Sequence, residues 1–223
     1  ATCIPLAKCG ARIMAGEKIA DMDLPDDERR LGYYCVKEAV MPFGRFPGTD
    51  VVLGPEMRST GEVMGIAKNF PAAYAKTQLA ISYKLPEAGK VFLSVCDRDK
   101  RHIVAIARDI IRMGFTLLAT AGTARTLEAA GIPVEEVKKV NETDSTIVDE
   151  IMSGEVSLMI NTPLGNLALD DGYYLRSLAV RHGISHVTTL AGAQALIAGM
   201  EAAIEEGGLG VKALQDLPGL RGS

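Results

Sequence analysis

Two textures of apolar and polar positions divide the sequence near residue 82. Before it, Pro5, Pro25, Pro42, Pro47, Pro55 and Pro71 interrupt the chain and leave room only for short helices. Residues 4 to 15 and 69 to 80 read as two such helices. The stretch PFGRFPGTDVVLGPEMRSTGEVMG (42 to 65) sets Gly and Pro around few apolar residues. It predicts a long, defined loop that needs another body to lie on. SYKLPEAGK (82 to 90) is a polar connector. The expected division is residues 1 to 82, a linker at 83 to 90, and a domain at 91 to 223.

Beyond the connector, short β-branched runs alternate with helix-period runs, the pattern of a parallel sheet under covering helices. VFLSV (91 to 95) is the first strand. Ile103, Ile106, Ile110 and Met113 then fall at spacings of three and four, one apolar helix face, for which Asp97 or Asp99 is the expected cap. FTLLAT (115 to 120) is the second strand, followed by a helix over TARTLEAAG (123 to 131) that closes on Gly131. VEEVKKV (134 to 140) reads as an edge strand and Thr146 to Ser153 as a helix. VSLMINT (156 to 162) is a buried strand, residues 168 to 182 a helix, HVTTL (186 to 190) a strand, and Ala193 to about Glu206 a last helix. The predicted class is α/β, with a doubly wound five-stranded parallel sheet preceded by a loop-rich segment.

Composition narrows the function classes. At 223 residues and 23.7 kDa the chain holds one ordinary domain and something smaller, not two complete catalytic domains. Against 28 Asp and Glu stand 24 Lys and Arg, a net charge of -4, which argues against a broad nucleic-acid footprint. The absence of Trp removes the best stacking platform for single strands. Cys3, Cys9, Cys35 and Cys96 form no CxxC pair and read as free thiols of a cytoplasmic protein. The opening ATCIPLAKCGARIMAG has no apolar run of leader or membrane length, and no membrane association is expected. It begins on Ala1 in mid-pattern, as expected of a piece of a longer chain.

Ligands of open α/β sheets bind at the carboxyl ends of strands, where strand order reverses. The second strand runs into Thr120, Ala121, Gly122 and Thr123 at a helix start. Free backbone N–H groups and two hydroxyls point one way there, and Gly122 lets an anion approach. The bland reading is that Thr123 only caps the helix. Lys100, the pair Lys138 and Lys139, and Asn161 with Thr162 lie at other strand ends, although a single lysine is most often a solvated surface charge. A catalytic set is harder to find. His102, His182 and His186 have no metal-ligand spacing, and neither GxSxG nor a Walker lysine occurs. Asp144 fits either a base beside a bound phosphate or a helix N-cap.

VKEAVMPFGRFPGTDVVLGPEMRSTGEVMG (36 to 65) carries a specific resemblance, supported by ATCIPLAKCGARIMAG and by SVCDRDK, ATAGTA and INTPLG in order. The chain resembles the C-terminal end of the carbamoyl phosphate synthase large chain. The resemblance implies the end of the second ATP-grasp domain followed by an allosteric domain of the methylglyoxal-synthase-like fold. Carried onto matching positions, effector-nucleotide contacts fall on Lys100, Thr120, Thr123, Lys139 and Asn161. A further family threonine is Pro163 here. The resemblance also implies ornithine contacts at Glu38, the Met41 backbone and Thr188, with His186 where a tyrosine is common.

The implied activity, carbamoyl phosphate formation from bicarbonate, glutamine-derived ammonia and two ATP, belongs to upstream domains that use ATP, Mg and K. No cofactor, metal or catalytic residue is expected in this chain, which should be inactive alone. The implied partners are the rest of the large chain, the glutaminase small chain and a UMP- or IMP-type effector, with oligomerisation through the allosteric domain. Two alternatives share the AT.GTA turn. One is a methylglyoxal-synthase-type lyase acting on dihydroxyacetone phosphate, in which Asp144 would be the base and Thr162 replaces a carboxylate. The other is the related domain of a purine-synthesis cyclohydrolase. GPEMRSTGEVMG is foreign to both.

Overall fold

In the computed structural model, residues 4–24, 32–40, 61–81, 85–138, 146–163, 171–205, 207–213 and 216 are described. The first part runs α1 (Leu6–Met14), a 3-10 turn (Ile19–Asp21), β1 (Tyr34–Val40), β2 (Gly61–Ala67) and α2 (Phe70–Ala80). The second part follows with β3 (Lys90–Ser94), α3 (Lys100–Arg112), β4 (Thr116–Thr120), α4 (Ala121–Ala129) and β5 (Glu135–Val137). It continues through α5 (Thr146–Met152), β6 (Val156–Asn161), α6 (Asp171–Arg181), β7 (Ser185–Val187) and α7 (Leu190–Glu205).

The five strands β3 to β7 form one parallel sheet in the order β5-β4-β3-β6-β7, with β5 at an edge. Side chains on a strand alternate between faces, and each face of this sheet has its own core. Val91 and Leu93 pack with Ile103, Ile106 and Ile110 of α3, Leu127 of α4 and Leu196 of α7. Phe92 and Met159 pack on the other side with Ile147 and Ile151 of α5 and Leu175 and Leu178 of α6. Helices therefore cover both faces, the expected doubly wound layer. Met113 sits only partly buried at the rim of the first core. Gly131 ends α4 at φ 72°, the left-handed conformation that favours glycine.

Four expectations need correction. Residues 61 to 65 are not loop but the start of β2, which pairs antiparallel with β1 from Tyr34↔Ala67 to Val40↔Gly61. The ribbon escapes a periodicity reading because α2 supplies much of its cover. Ala72, Ala73 and Ala75 of α2 are fully or almost fully buried, and Gly65 lies so close to α2 that a Cβ would stand 1.9 Å from the Ala73 carbonyl oxygen. Neither Asp97 nor Asp99 caps α3 through its side chain; residues Asp97–Asp99 form a 3-10 turn. The connector is not wholly polar in role, since Leu85 packs on the first core and Lys90 already belongs to β3. The last strand and the last helix each begin earlier than expected, at Ser185 and Leu190.

The two parts meet through α2 and α7. Asn69 caps α2, its side-chain oxygen accepting from the Ala72 N–H at 2.8 Å, and Pro71 sits in the first turn where no hydrogen bond is lost. Gly199 of α7 approaches Pro71 and Ala75 closely enough that a Cβ would stand 3.2 Å from each. Small residues on both helices thus set a short interhelical distance. Among the described residues, no helix is long and apolar enough to cross a membrane.

Candidate functional site

The sheet builds outward from β3 through β4 to β5 in one direction and through β6 to β7 in the other. The reversal lies between β3 and β6, so the crevice at their carboxyl ends is the place to look for a ligand. Ser94, at the end of β3, is the hub of that edge. Its hydroxyl lies 3.4 Å from the Thr120 hydroxyl at the end of β4. Its carbonyl accepts from Asn161 Nδ2 at 3.3 Å and from the Thr162 N–H at 3.1 Å, both at the end of β6. Three strand ends are tied together through one residue.

Thr123 lies in the first turn of α4 and is 1% exposed. It is not the cap of that helix; Thr120 holds that position and makes no side-chain capping bond. Instead Thr123 Oγ1 accepts from the Val95 N–H at 3.2 Å. With a lone pair occupied by a fixed donor, the hydroxyl proton is left to donate elsewhere. Lys100, at the start of α3, lies over the same turn. A Cβ on Gly122 would stand 2.8 Å from its Nζ, so the absence of a side chain at Gly122 is what admits the ammonium. The turn presents backbone N–H groups, the positive end of α4, a hydroxyl proton and an ammonium together, an arrangement suited to an anion.

The ammonium is engaged by Asp97 Oδ1 at 2.6 Å. Hydrogen bonding and charge from Lys100 hold the Asp97 carboxyl below the usual value, although its side chain is 88% exposed. Asp99 faces inward. Burial raises its pKa, but hydrogen bonds from Cys96 and Thr162 and the charge of Arg98 outweigh burial and leave it lowered. The Cys96 thiol donates to Asp99 at 3.1 Å, and the Cys96 N–H donates to Thr162 Oγ1 at 3.0 Å. This second network braces the loop that carries Lys100.

Four of the five predicted nucleotide-contact residues, Lys100, Thr120, Thr123 and Asn161, therefore converge on this edge. Lys139 lies outside the described residues, as do Met41 and Asp144. Lys138 is exposed at the end of β5. Of the residues assigned to ornithine, Glu38 and His186 have other contacts. Glu38 Oε2 accepts from Thr77 Oγ1 at 2.5 Å and Gln78 Nε2 at 2.6 Å, both buried on α2. Burial together with Glu38 raises the Tyr74 phenol to about 12. His186 Nδ1 lies 3.2 Å from the Ile184 carbonyl, and Thr188 is half-buried between β7 and α7.

Sequence reasoning missed Ser94, Cys96 and Arg176. Arg176 is 3% exposed, and its Nη1 donates to Asn161 Oδ1 at 2.7 Å. One signal was present: Arg176 stands beside Leu175 and ahead of Leu178 and Ala179 on the buried side of α6, an unusual place for a charge. A cavity of about 980 Å³ opens at the opposite, amino edge, lined by Leu79, Leu85, Val156, Ile184 and Met200 among others. Its lining is mostly apolar but includes Glu87, Ser157 and His182, and it lies away from the anion-suited turn.

Comparisons with known proteins match this chain both to a domain family and to longer relatives. The MGS-like domain family matches residues 102–188. The carbamoyl phosphate synthase large chain of Methanothermobacter thermautotrophicus is 47% identical over 99% of this chain and 20% of its own length. The carbamoyl phosphate synthase large chain, C-terminal section, of Methanocaldococcus jannaschii is 44% identical over 96% of this chain and 36% of its own length. The corresponding section from Methanopyrus kandleri is 47% identical over 96% of this chain and 40% of its own length. The chain thus spans between a fifth and two fifths of these relatives. Among solved structures, methylglyoxal synthase from Elizabethkingia anophelis NUHP1 aligns with a TM-score of 0.42 and 18% identity, over 51% of this chain and 79% of that one. Over nearly its whole length this chain is homologous to the C-terminal section of carbamoyl phosphate synthase large chains, and it contains an MGS-like domain.

Proposed function

We propose that this chain is the regulatory C-terminal portion of a glutamine-dependent carbamoyl phosphate synthase, and that its MGS-like domain binds a nucleoside monophosphate of the UMP or IMP type. The observation that carries the reading is the placement of Lys100 Nζ against Gly122, beside the Thr123 hydroxyl, at the carboxyl ends of β3 and β4 next to the β3–β6 switch point. A phosphate seated there gains a charge-assisted hydrogen bond, a neutral one and the α4 terminus. Asn161 and Thr120 then face the sugar side of the same ligand. Residues 1 to 82 belong in this reading to the end of the synthetase domain and residues 91 to 223 to the regulatory domain.

Synthesis itself, with its ATP and metal ions, falls to the remainder of the large chain, and glutamine hydrolysis to a small chain. The exposure of Leu6 (62%), Met14 (91%) and Ile19 (64%) supports a missing neighbour for the first part. Control by ornithine has weaker support, because such a ligand would compete with Thr77 and Gln78 for Glu38. A lyase of the methylglyoxal synthase type also has weaker support, since Thr162 offers a hydroxyl already bonded to the Cys96 N–H.

Calorimetric titration of the full 223-residue chain with UMP, IMP and uridine tests the proposal. Saturable heat is expected with at least one nucleotide at roughly micromolar to millimolar concentration, and none with uridine. Equal heats for UMP and uridine would remove the phosphate from the account. A companion expectation concerns Asp97, whose carboxylate competes with a phosphate for Lys100. Asp97→Asn is expected to tighten nucleotide binding by about threefold to tenfold, with a smaller gain in high salt. Weaker binding in that variant would show that Asp97 holds Lys100 in place rather than competing for it.

A further inference from the structure

We propose that Arg176 is a positioning residue for the nucleotide site, acting through Asn161. The inference rests on the nucleotide reading given above and adds a residue that does not touch the ligand. A guanidinium carries donors only, so the Asn161 atom facing Arg176 Nη1 at 2.7 Å must be the amide oxygen. The Ser94 carbonyl accepts only, so the Asn161 atom facing it at 3.3 Å must be the amide nitrogen. Both neighbours select one of the two orientations of the amide. The second N–H of Asn161 is then the group left for an acceptor on the ligand, such as a ribose or phosphate oxygen.

Without Arg176 this selection weakens. The terminal amide torsion is broad and roughly two-fold, and the flipped amide would present an oxygen to the acceptors of the ligand. A separate feature of the fold is built around the contact. At Gly172, in the first turn of α6, a Cβ would stand 2.7 Å from Arg176 Nη1 and 3.2 Å from Asn161 Oδ1. Glycine there lets the guanidinium lie against Asn161. Burying a guanidinium at a position flanked by Leu175 and Leu178 is expensive compared with a leucine in its place, which favours a role beyond packing.

The test is a double-mutant cycle on the full chain, read as UMP affinity by calorimetry. Arg176→Met is expected to weaken UMP about tenfold, the loss of one well-oriented hydrogen bond. Gly172→Ala, which keeps the charge and only shifts it, is expected to weaken UMP about threefold. In an Asn161→Ala background neither change should weaken UMP by more than about twofold, because the group through which they act is gone. Effects that multiply in that background, or wild-type affinity in both single variants, would overturn the role of Arg176. Should Arg176→Met fail to fold, Gly172→Ala with and without Asn161→Ala decides the matter. Failure of the wild-type chain to bind either UMP or IMP is a different result: it removes the nucleotide reading and this proposal with it, whereas binding of IMP alone makes IMP the ligand of the cycle.

Discussion

Gly65→Ala is expected to lower the melting temperature of the chain by about 6 to 12 °C, measured by circular dichroism or scanning calorimetry. Its Cβ would stand 1.9 Å from the Ala73 carbonyl oxygen and 3.1 Å from Lys76 Cβ. The first of these is backbone inside a helix, which cannot swing aside like the end of a side chain. The β1–β2 ribbon must therefore separate from α2. It would take with it the Lys76 Nζ bond to the Ile66 carbonyl at 3.0 Å and the bonds from Thr77 and Gln78 to Glu38. Overpacking costs about 1 to 3 kcal/mol, the upper end applying where backbone must move, and each kcal/mol shifts a chain of this size by about 2 to 4 °C. Gly61→Ala on the same strand is the control, since its Cβ would meet nothing within 4 Å. A melting temperature unchanged by Gly65→Ala would mean that the ribbon does not pack on α2 as described.

Lys100→Met and Thr123→Val are both expected to weaken UMP by about tenfold to a hundredfold, the range for losing a hydrogen bond to a charged group. Their effects on folding should differ. Lys100 gives up one ion pair with a largely exposed Asp97, and such pairs contribute little to stability. The melting temperature of Lys100→Met should stay near wild type. Valine at position 123 removes the acceptor of the buried Val95 N–H, which costs about 1 to 3 kcal/mol. Thr123→Val should therefore lose both affinity and stability. If Lys100→Met binds UMP as tightly as wild type, the ammonium over Gly122 is not the phosphate partner.

The contrast between these positions shows what the sequence made legible. The second part of the chain was readable because the three central strands, β3, β4 and β6, are apolar on both faces, and runs such as VFLS and VSLMI leave no competing pattern. Glycines at 114, 131, 154 and 183 punctuate it, each at positive φ after a helix. The phosphate-suited turn was readable too, because strand ends, hydroxyls and Gly122 sit together in the sequence. The β1–β2 ribbon was not. Its strands have only one buried residue, Gly65, and are covered by alanines of α2 that no local pattern connects to them.

Arg176 was harder to read for a related reason. A charge in a helix reads as solvated, and its contact with Asn161 joins residues from two different elements across the β6–α6 connection. Asp99 misled in the opposite way. Its position before α3 suggests a cap, but the thiol of Cys96 and the hydroxyl of Thr162 draw the carboxylate inward.

The most direct test of the central claim is where on the sheet UMP binds. In amide chemical-shift mapping of the isotope-labelled 223-residue chain, saturating UMP is predicted to shift Ser94 to Cys96, Gly122 to Ala124, and Asn161 with Thr162. The amides of Gly183 and Ile184, at the amino-edge cavity, should stay in place. Shifts confined to the amino-edge cavity, or none at either edge with UMP and with IMP at millimolar concentration, would contradict the account.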